Sequence, residues 1–395
     1  DLLRADKGGL VFVPQSASCY ENVAQLDFSQ MYPTIMDQHN ISPETINCSC
    51  CSPGETVPGL SSHICSKRRG VVSDTLRDIL ARRAYYKKQM KNQNISVADR
   101  AIYDARQNSL KWMLVTSFGY LGYRNAKFGR LESHEAVTAF GREKLLKAIL
   151  LAEEQGFSLL HAITDCLFLS HEDKRRLNEP LLQKLCARIA DSGGIAMSID
   201  GIYSWVYFLE SRTQKGLAVM NRYFGRFQDG TLKIRGIAAR RSDTCAFIRK
   251  AQLSWLELMA RADSLQALQE QESQLEESYR SLAQKLRNRA IDYRDLLVTR
   301  KASRQLDDYA AATPAMVVMQ DLREWNIEIQ PGQRVRYLVL EKGETRYISE
   351  EKLLSTPGRA IYDRNYYKQL LQAAYLEIRP DSRLFENQPD LWEIQ

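Results

Sequence analysis

The 395-residue chain has no run of about 18 consecutive apolar residues, which a membrane-spanning helix requires. Its first residues, Asp1 to Lys7, lack the basic start and apolar core of a secretory signal. Eight cysteines are sparse for this length, so a disulfide scaffold is not expected. We therefore expect a cytoplasmic protein with reduced thiols and no membrane partner.

The charge balance is only mildly basic. Lys and Arg number 55 against 48 Asp and Glu, which gives a net charge of +7. This excess permits nucleic-acid binding without demonstrating it. Hydrophobic residues make up 44%, an ordinary value, and the length suffices for about two or three domains.

Apolar periodicity predicts a helix from Ser73 to Lys91 and a second from about Val97 to Thr116. The polar turn between them indicates an antiparallel helical hairpin. Further along, we expect a long helix over 132–154, a strand over 157–163, a turn over 164–166 and a returning strand over 167–169.

The second half is mostly helical from Thr244 to about Leu297, with a later short strand over 335–339. Leucines recur at heptad spacing in this helical stretch, at Leu268, Leu275 and Leu282, with Leu265 one turn earlier. The spacing leaves two interpretations open, a solvated helical hairpin and an oligomerising coiled coil.

Two carboxylates lie where strands end. Asp27 follows the apolar-rich run 23–26, which predicts a strand, and Asp165 lies at the tip of the 157–169 hairpin. Nucleotidyl transfer uses two divalent cations about 4 Å apart, and Mg²⁺ prefers one or two carboxylates plus substrate phosphates. The pair fits this chemistry if the two strands are adjacent. Capping or turn formation is the alternative for each aspartate alone.

Three cations belong to the predicted helical hairpin. Arg83 and Lys87 are four residues apart and so share a helix face, while Lys111 lies on the second helix. If they converge, they can clamp a triphosphate. The alternative is a basic face that is simply solvated.

A loop over 40–70 carries the cluster Cys48-x-Cys50-Cys51, with Cys65 further along. Four thiolates can hold zinc or an iron–sulfur cluster. The spacing is not the usual pair of Cys-x-x-Cys motifs, so zinc, an iron–sulfur cluster and free thiols all stay open.

Two motifs resemble those of family B DNA polymerases. The stretch Asp-Phe-Ser-Gln-Met-Tyr-Pro-Thr at 27–34 is similar to the family's first catalytic motif, Asp-Phe-x-Ser-Leu-Tyr-Pro-Ser. The stretch at 161–166 resembles the family's Tyr-Gly-Asp-Thr-Asp-Ser hairpin, with Ile163 replacing the first aspartate. The resemblance implies that Asp27 and Asp165 are catalytic and, with Phe28, hold two Mg²⁺ ions, for which Mn²⁺ can substitute. It implies that Tyr32 selects the sugar.

The predicted hairpin resembles the family's fingers. The stretch 106–120 is similar to Arg-Gln-x-x-x-Lys-x-x-x-Asn-Ser-x-Tyr-Gly-Tyr, with Val115, Thr116 and Phe118 replacing the asparagine, the serine and the first tyrosine. The implied nucleotide-binding residues are Tyr32, Arg83, Lys87, Lys111 and Phe118. The replacements favour altered fidelity or lesion tolerance.

Further motifs resemble the family's duplex-binding segments. Arg222-Tyr223 is similar to the end of a Lys-Lys-Arg-Tyr segment that reaches the primer-template minor groove, and Arg241 belongs to a Gly-x-x-x-x-Arg-Arg-Asp-like stretch. The implied DNA-binding residues are Gly8, Gly9, Arg222, Tyr223, Arg240 and Arg241. Their contacts would position the duplex without reading its sequence. The alternative is solvated surface arginines.

The order of these motifs covers nearly the whole chain. It implies an α+β, right-hand polymerase fold with an antiparallel-sheet palm, helical-hairpin fingers and a mainly helical thumb. The expected domains are palm over 1–70 and 128–245, fingers over 71–127, and thumb over 246–395.

We therefore expect a DNA-directed DNA polymerase that adds deoxynucleotides to a primer 3′-hydroxyl on primer-template DNA by a two-metal mechanism. Because the first motif starts at Asp27, we expect either a fragment or an enzyme without a proofreading exonuclease, acting in repair or lesion bypass or in replication. The alternative, favoured by Ile163 and Val115, is a catalytically degenerate polymerase that serves as a DNA-binding scaffold subunit.

The C-terminal peptide Gln388-Pro389-Asp390-Leu391-Trp392 resembles the Gln-x-x-Leu-aromatic motif that docks bacterial polymerases on their sliding clamp. Leu391 and Trp392 would be its apolar anchors, with Gln388 beside them. The resemblance implies a bacterial-type enzyme and a bacterial sliding clamp as partner. The alternative is a tail that packs on its own thumb.

Overall fold

The chain divides into two units in this computed structural model, which describes residues 7–51, 54–173, 177–211, 213–214, 216–341, 346–355 and 361–379. Unit 1 comprises Asp1–Gln15 and Asn22–Ile202, and unit 2 comprises Ser16–Glu21 and Tyr203–Gln395. Across the described ranges, no helix has the length and apolar character needed to cross a membrane.

Unit 1 combines an antiparallel sheet with helices. Its strands are β1 (Val11–Phe12), β2 (Cys19–Phe28), β3 (Glu55–Thr56), β4 (His63–Ile64), β5 (Phe157–Ile163), β6 (Cys166–His171) and β7 (Met197–Glu210), where the start of β2 and the end of β7 belong to unit 2. Its helices are α1 (Met31–Gln38), α2 (Val71–Met90), α3 (Val97–Leu121), α4 (Leu131–Glu153) and α5 (Glu179–Gly193). The sheet order within the unit is β1-β5-β6-β2-β7, while β3 and β4 pair separately.

Strand β2 occupies the interior of this sheet. Val23, Ala24, Gln25 and Leu26 are all buried, as expected for a strand with neighbours on both sides. The predicted strand over 23–26 is confirmed, and it extends from Cys19 to Phe28. The predicted strand–turn–strand over 157–169 is also confirmed.

Helices α2 and α3 form the predicted antiparallel hairpin. The Ser96 side chain caps the start of α3 by accepting a hydrogen bond from the Asp99 N–H at 3.0 Å. Helix α3 continues past the expected end at Thr116 to Leu121, where Gly122 follows.

Unit 2 contains the remaining elements. Its strands are β8 (Ala218–Phe227), β9 (Leu232–Arg235), β10 (Val298–Lys301), β11 (Arg334–Val339) and β12 (Tyr347–Ser349), ordered β7-β8-β9 and β10-β11-β12. Its helices are α6 (Ala246–Met259), α7 (Leu265–Glu270), α8 (Glu272–Arg287), α9 (Tyr293–Leu296), α10 (Pro314–Arg323), α11 (Glu350–Ser355) and α12 (Arg364–Ile378), with 3₁₀ turns at Ala238–Arg240 and Leu306–Asp308.

The heptad leucines belong to the core of unit 2. Leu268 and Leu275 are buried there, and Leu265 and Leu282 pack against the same core. The heptad spacing therefore marks a buried helix face, and the two interpretations of the stretch, a solvated helical hairpin and an oligomerising coiled coil, stay predictions. The apolar spacing reflects helices that pack on the core of unit 2. Trp255 and Tyr279 belong to the same core, and their rings contact each other.

Candidate active site

The sheet of unit 1 brings Asp27 and Asp165 together. Strands β2 and β6 are antiparallel neighbours with Asp27 opposite Cys166, and the Phe28 N–H donates to the Asp165 carbonyl oxygen at 2.8 Å. Both aspartates line one cavity of about 480 Å³. The strand adjacency that the pair of carboxylates requires is therefore present.

A third carboxylate, Asp200, lines the same cavity and escaped the sequence analysis. It lies on β7 two residues after Ser198, so both side chains share one face of the strand. The Ser198 hydroxyl donates to the Asp27 carbonyl oxygen at 3.3 Å. The alternation of polar and apolar residues at Ser198-Ile199-Asp200 could have indicated that the two polar side chains share one strand face. No local sequence pattern connects this strand with Asp27.

Burial and the nearby Asp200 charge raise the pKa of Asp165 above its ordinary value. Two carboxylates in a half-buried cavity repel each other, and a divalent cation between them would relieve this repulsion. Their oxygens are the ligands that Mg²⁺ prefers. The donor set of Asp27, Asp165 and Asp200 therefore fits a hard divalent cation.

The hairpin of α2 and α3 supplies cations to the same cavity. Arg83, Lys87 and Lys111 all line it. Arg83 is buried, and its Nε and Nη2 donate to the carbonyl and side-chain oxygens of Gln107, both at 3.3 Å. The side chain is thus held across the hairpin, which orients the guanidinium.

These cations repel one another. Partial burial and the charges of Arg83, Lys91 and Lys111 lower the pKa of Lys87, and burial lowers the pKa of Arg83. Such a cluster is stabilised by an anion, and a triphosphate has the charge and oxygen atoms to bind it. The convergence required by the sequence prediction is present.

Tyr32 lies between the carboxylates and the hairpin. Its ring packs on Phe118 with a centroid distance of 4.2 Å, and Phe118 stacks on His134 at 4.1 Å. A Cβ on Gly141 would lie 2.9 Å from the Tyr32 ring, so only glycine leaves room for this position. The aromatic ring therefore has a fixed place at the cavity wall.

Gly8 and Gly9, which the sequence resemblance assigns to DNA binding, lie beside this tyrosine. A Cβ on Gly9 would lie 2.8 Å from the Thr164 hydroxyl and 3.1 Å from the Tyr32 hydroxyl. Gly8 has a φ of 62° and its carbonyl accepts a hydrogen bond from Arg142 at 2.6 Å. Thr164 itself has a φ of 56°, a strained conformation for a β-branched residue, immediately before Asp165.

The predicted DNA-binding residues of unit 2 are mostly buried or paired with carboxylates. Arg222 pairs with Glu377, Tyr223 is buried against Phe208, and Arg240 is exposed. Arg241 donates to both carboxylate oxygens of Asp243, at 3.0 and 2.8 Å. Two of these three arginines are thus engaged in ion pairs within unit 2.

The four cysteines also converge. The Sγ atoms of Cys48, Cys50, Cys51 and Cys65 all lie within 4.8 Å of one another. The clamp-docking residues Gln388, Leu391 and Trp392 lie outside the described residues.

Comparison with known proteins identifies the family. The model described as DNA polymerase family B matches residues 3–179 and 192–381. The chain belongs to DNA polymerase family B.

Its relatives in this family include archaeal enzymes. The chain is 35% identical over 212 residues to "DNA polymerase 2" of Saccharolobus solfataricus, covering 54% of this chain and 29% of that protein. It is 26% identical over 377 residues to "DNA polymerase 2" of Aeropyrum pernix, covering 93% and 44%. A solved structure, the family B DNA polymerase of the hyperthermophilic archaeon Pyrobaculum calidifontis, is similar with a TM-score of 0.63 and 25% identity, covering 94% of this chain and 46% of that one.

The chain spans less than half of the length of each of these relatives. They are archaeal, so the expectation of a bacterial-type family B enzyme with a bacterial sliding clamp has no support from them. Their family generally uses divalent metal ions, which agrees with the oxygen donors in the cavity. The absence of an exonuclease and the cytoplasmic location stay predictions.

Proposed function

We propose that the cavity of unit 1 is the active site of a DNA polymerase that extends a primer 3′-hydroxyl with deoxynucleoside triphosphates on a DNA template. One observation carries the proposal. Asp27 on β2 and Asp165 in the turn before the neighbouring β6 line the same cavity as Arg83, Lys87 and Lys111 from the helical hairpin. Acidic groups for cations and basic groups for phosphates meet in one place, as nucleotidyl transfer requires.

The carboxylates would hold the metal ions. Asp27 and Asp165, with Phe28 beside them, would bind two Mg²⁺ or Mn²⁺ ions, which when bound stabilise charge on the attacking and leaving oxygens. Asp200 would add negative charge to this wall. Ile163 replaces a family aspartate in the 161–166 motif. The bond formed joins the primer oxygen to the α-phosphate, and pyrophosphate leaves.

The other residues bind and orient the incoming nucleotide. Arg83, Lys87 and Lys111 would hold the triphosphate, with Arg83 oriented by Gln107. The Tyr32 ring, backed by Phe118, would lie under the sugar and exclude a 2′-hydroxyl. Gly8 and Gly9 would let the template approach closely.

The right-hand arrangement is part of the same proposal. Residues 1–70 and 128–245 would form the palm, residues 71–127 the fingers and the residues from 246 onward the thumb. Arg222, Tyr223, Arg240 and Arg241 would serve the primer-template duplex through phosphate contacts and through the packing that supports them.

Primer extension tests the proposal. The 395-residue chain, supplied with labelled primer-template, deoxynucleotides and Mg²⁺ or Mn²⁺, should extend the primer. Asp27→Asn and Asp165→Asn should each reduce extension by about a thousandfold, which is about 4 kcal/mol of transition-state stabilisation. Asp191→Asn, an exposed helix position outside the cavity, is the matched control and should extend normally.

The scaffold alternative rests on Val115 and Ile163, which replace polar residues of the family motifs. It predicts duplex binding with no extension under either metal, by the wild type and all three variants alike. That result would overturn the polymerase proposal.

A role in repair or lesion bypass is favoured by Val115 and Phe118, which line the cavity without a side-chain amide or hydroxyl. Extension past an abasic site at a rate within about tenfold of undamaged template would support it. A complete stop at the abasic site would assign the enzyme to ordinary copying.

A further inference from the structure

Four thiols meet at a place that the polymerase proposal does not use. The Sγ atoms of Cys48 and Cys51 are 3.2 Å apart, those of Cys48 and Cys50 are 3.5 Å apart, and those of Cys50 and Cys65 are 3.5 Å apart. None of these pairs is a disulfide, since the described cysteines are all free. Four uncharged thiols gain little from such convergence, whereas four thiolates require a cation.

The spacing of the sulfur atoms fits one tetrahedral ion. With Zn–S bonds of about 2.3 Å, the edges of the tetrahedron are about 3.8 Å. The three separations of 3.2, 3.5 and 3.5 Å are slightly shorter than this value, and all pairs lie within 4.8 Å. In a cubane iron–sulfur cluster each cysteine binds a different iron, so its sulfurs stand further apart than ligands of a single ion.

The peptide around the cluster stabilises thiolates. The Ser66 N–H points to the Cys51 Sγ at 3.4 Å. Lys67 and Arg68 follow Cys65 closely in the sequence and can offset part of the net negative charge that four thiolates and one divalent ion would carry, whereas Arg69 pairs with Asp37 and Asp74.

We propose that Cys48, Cys50, Cys51 and Cys65 bind one structural zinc ion through four thiolates. Four protein ligands leave no open position, so the ion would stabilise the fold and take no part in nucleotidyl transfer. His63 lies beside this zinc site, where its Nε2 contacts the Cys48 carbonyl oxygen at 3.1 Å and can fix that loop.

The zinc site would anchor the base of the helical hairpin. The Cys65 N–H donates to the Thr45 carbonyl at 2.8 Å, and the Cys65 carbonyl accepts from the Asn40 side chain at 3.1 Å. The same asparagine accepts from the Gly70 N–H at 2.8 Å, at the start of α2. Loss of the ion would therefore loosen the helix that carries Arg83 and Lys87.

Metal content tests the proposal directly. The 395-residue chain, purified without added metal or chelator, should contain about one zinc per chain by inductively coupled plasma mass spectrometry. Cys48→Ser and Cys65→Ser should each lose at least about tenfold in zinc occupancy. Cys186→Ser, a buried cysteine on α5 outside the site, should keep its zinc. Zinc below about a tenth of the protein, or iron in its place, would overturn the proposal.

A second measurement on the wild type avoids the risk that the serine variants fail to fold. Mercurial titration of the native chain should release zinc in step with modification of these four cysteines, and Co²⁺ substitution should give the strong visible bands of tetrahedral thiolate ligation. Zinc that is released without thiol modification, or a Cys48–Cys51 disulfide in the purified chain, would contradict a four-thiolate site. None of these readouts depends on polymerase activity.

Discussion

The cations of unit 1 and the cations of unit 2 are held in opposite ways. Near the unit 1 cavity, Lys87 has Arg83, Lys91 and Lys111 as its electrostatic neighbours, and partial burial together with their charges lowers its pKa. In unit 2, Arg222 pairs with the buried Glu377, whose carboxylate also accepts from the Ala238 N–H at 2.9 Å and the Gln252 side chain at 3.0 Å.

This difference separates binding from structural support. A cluster of like charges destabilises the fold until an anion binds. Such a cluster is therefore explained by ligand binding rather than by the stability of the fold. An arginine that satisfies a buried carboxylate contributes to the fold whether or not DNA is present. The unit 1 residues should therefore affect catalysis most, and the paired unit 2 arginines should affect stability most.

Among substitutions of these cations, Lys87→Ala should have the largest effect. Loss of one charge-assisted contact with a triphosphate should raise the KM for the incoming nucleotide and lower kcat/KM by about 100-fold, or about 3 kcal/mol. Steady-state single-nucleotide incorporation measures it. The thermal midpoint should not fall, because like-charge repulsion is relieved.

Lys88→Ala is the matched control for Lys87. Lys88 is the next residue on α2 and is exposed, and it is not among the residues that line the cavity. An equal loss of kcat/KM for both variants would mean that the overall positive charge of α2, rather than the Lys87 side chain, binds the nucleotide. The proposed contrast between ligand-binding cations in unit 1 and structural arginines in unit 2 would then be wrong.

The local features of this candidate active site could be predicted from sequence. The hairpin of α2 and α3 follows from apolar spacing and a polar turn, and the strand–turn–strand around Asp165 follows from short-range alternation. The motif residues Asp27, Tyr32 and Lys111 then fell into one cavity because their motifs lie on these elements.

Long-range partners could not be predicted in this way. Arg222 and Glu377 are 155 residues apart in sequence, and no local pattern identifies the pair. Asp200 lies on β7, whose approach to Asp27 depends on the order of strands in the sheet. The sequence shows Cys48, Cys50 and Cys51 as a cluster, but its proximity to Cys65 depends on the pairing of β3 with β4.

A smaller effect should come from Arg222→Ala. Its removal leaves the Glu377 carboxylate, only 6% exposed, without its positive partner. We expect the free energy of unfolding to fall by about 2 kcal/mol, measured by urea denaturation. Glu377→Gln combined with Arg222→Ala should recover part of this loss, because no unpaired charge then stays buried.

Exposed Arg240 provides the control for DNA binding. Arg240→Ala should weaken binding to primer-template and reduce its salt dependence without changing unfolding, as expected for a phosphate contact. If Arg222→Ala weakens DNA binding as much as Arg240→Ala and leaves unfolding unchanged, then Arg222 acts on DNA directly. The assignment of Arg222 to fold stability and of Arg240 to DNA contact would then be wrong.

The smallest effect should be a gain in stability in Asp165→Asn, the same variant that should reduce extension by about a thousandfold. The pKa of Asp165 is raised in the folded chain, so its protonated form is favoured there and folding stability is lost as the pH rises through that pKa. Asparagine cannot ionise and avoids this loss. Without divalent metal, the thermal midpoint of the variant should exceed that of the wild type at pH 7, and the gain should shrink as the pH falls towards about 4.

Magnesium should reverse the sign of this comparison. A cation held by Asp27 and Asp165 offsets the charge of the buried carboxylate, so added Mg²⁺ should raise the midpoint of the wild type more than that of Asp165→Asn. Asp191→Asn should follow the wild type at every pH and metal concentration. A midpoint for Asp165→Asn below that of the wild type at pH 7 without metal would mean that Asp165 stabilises the fold by itself, as Arg222 does, and that the acidic wall of the cavity is structural.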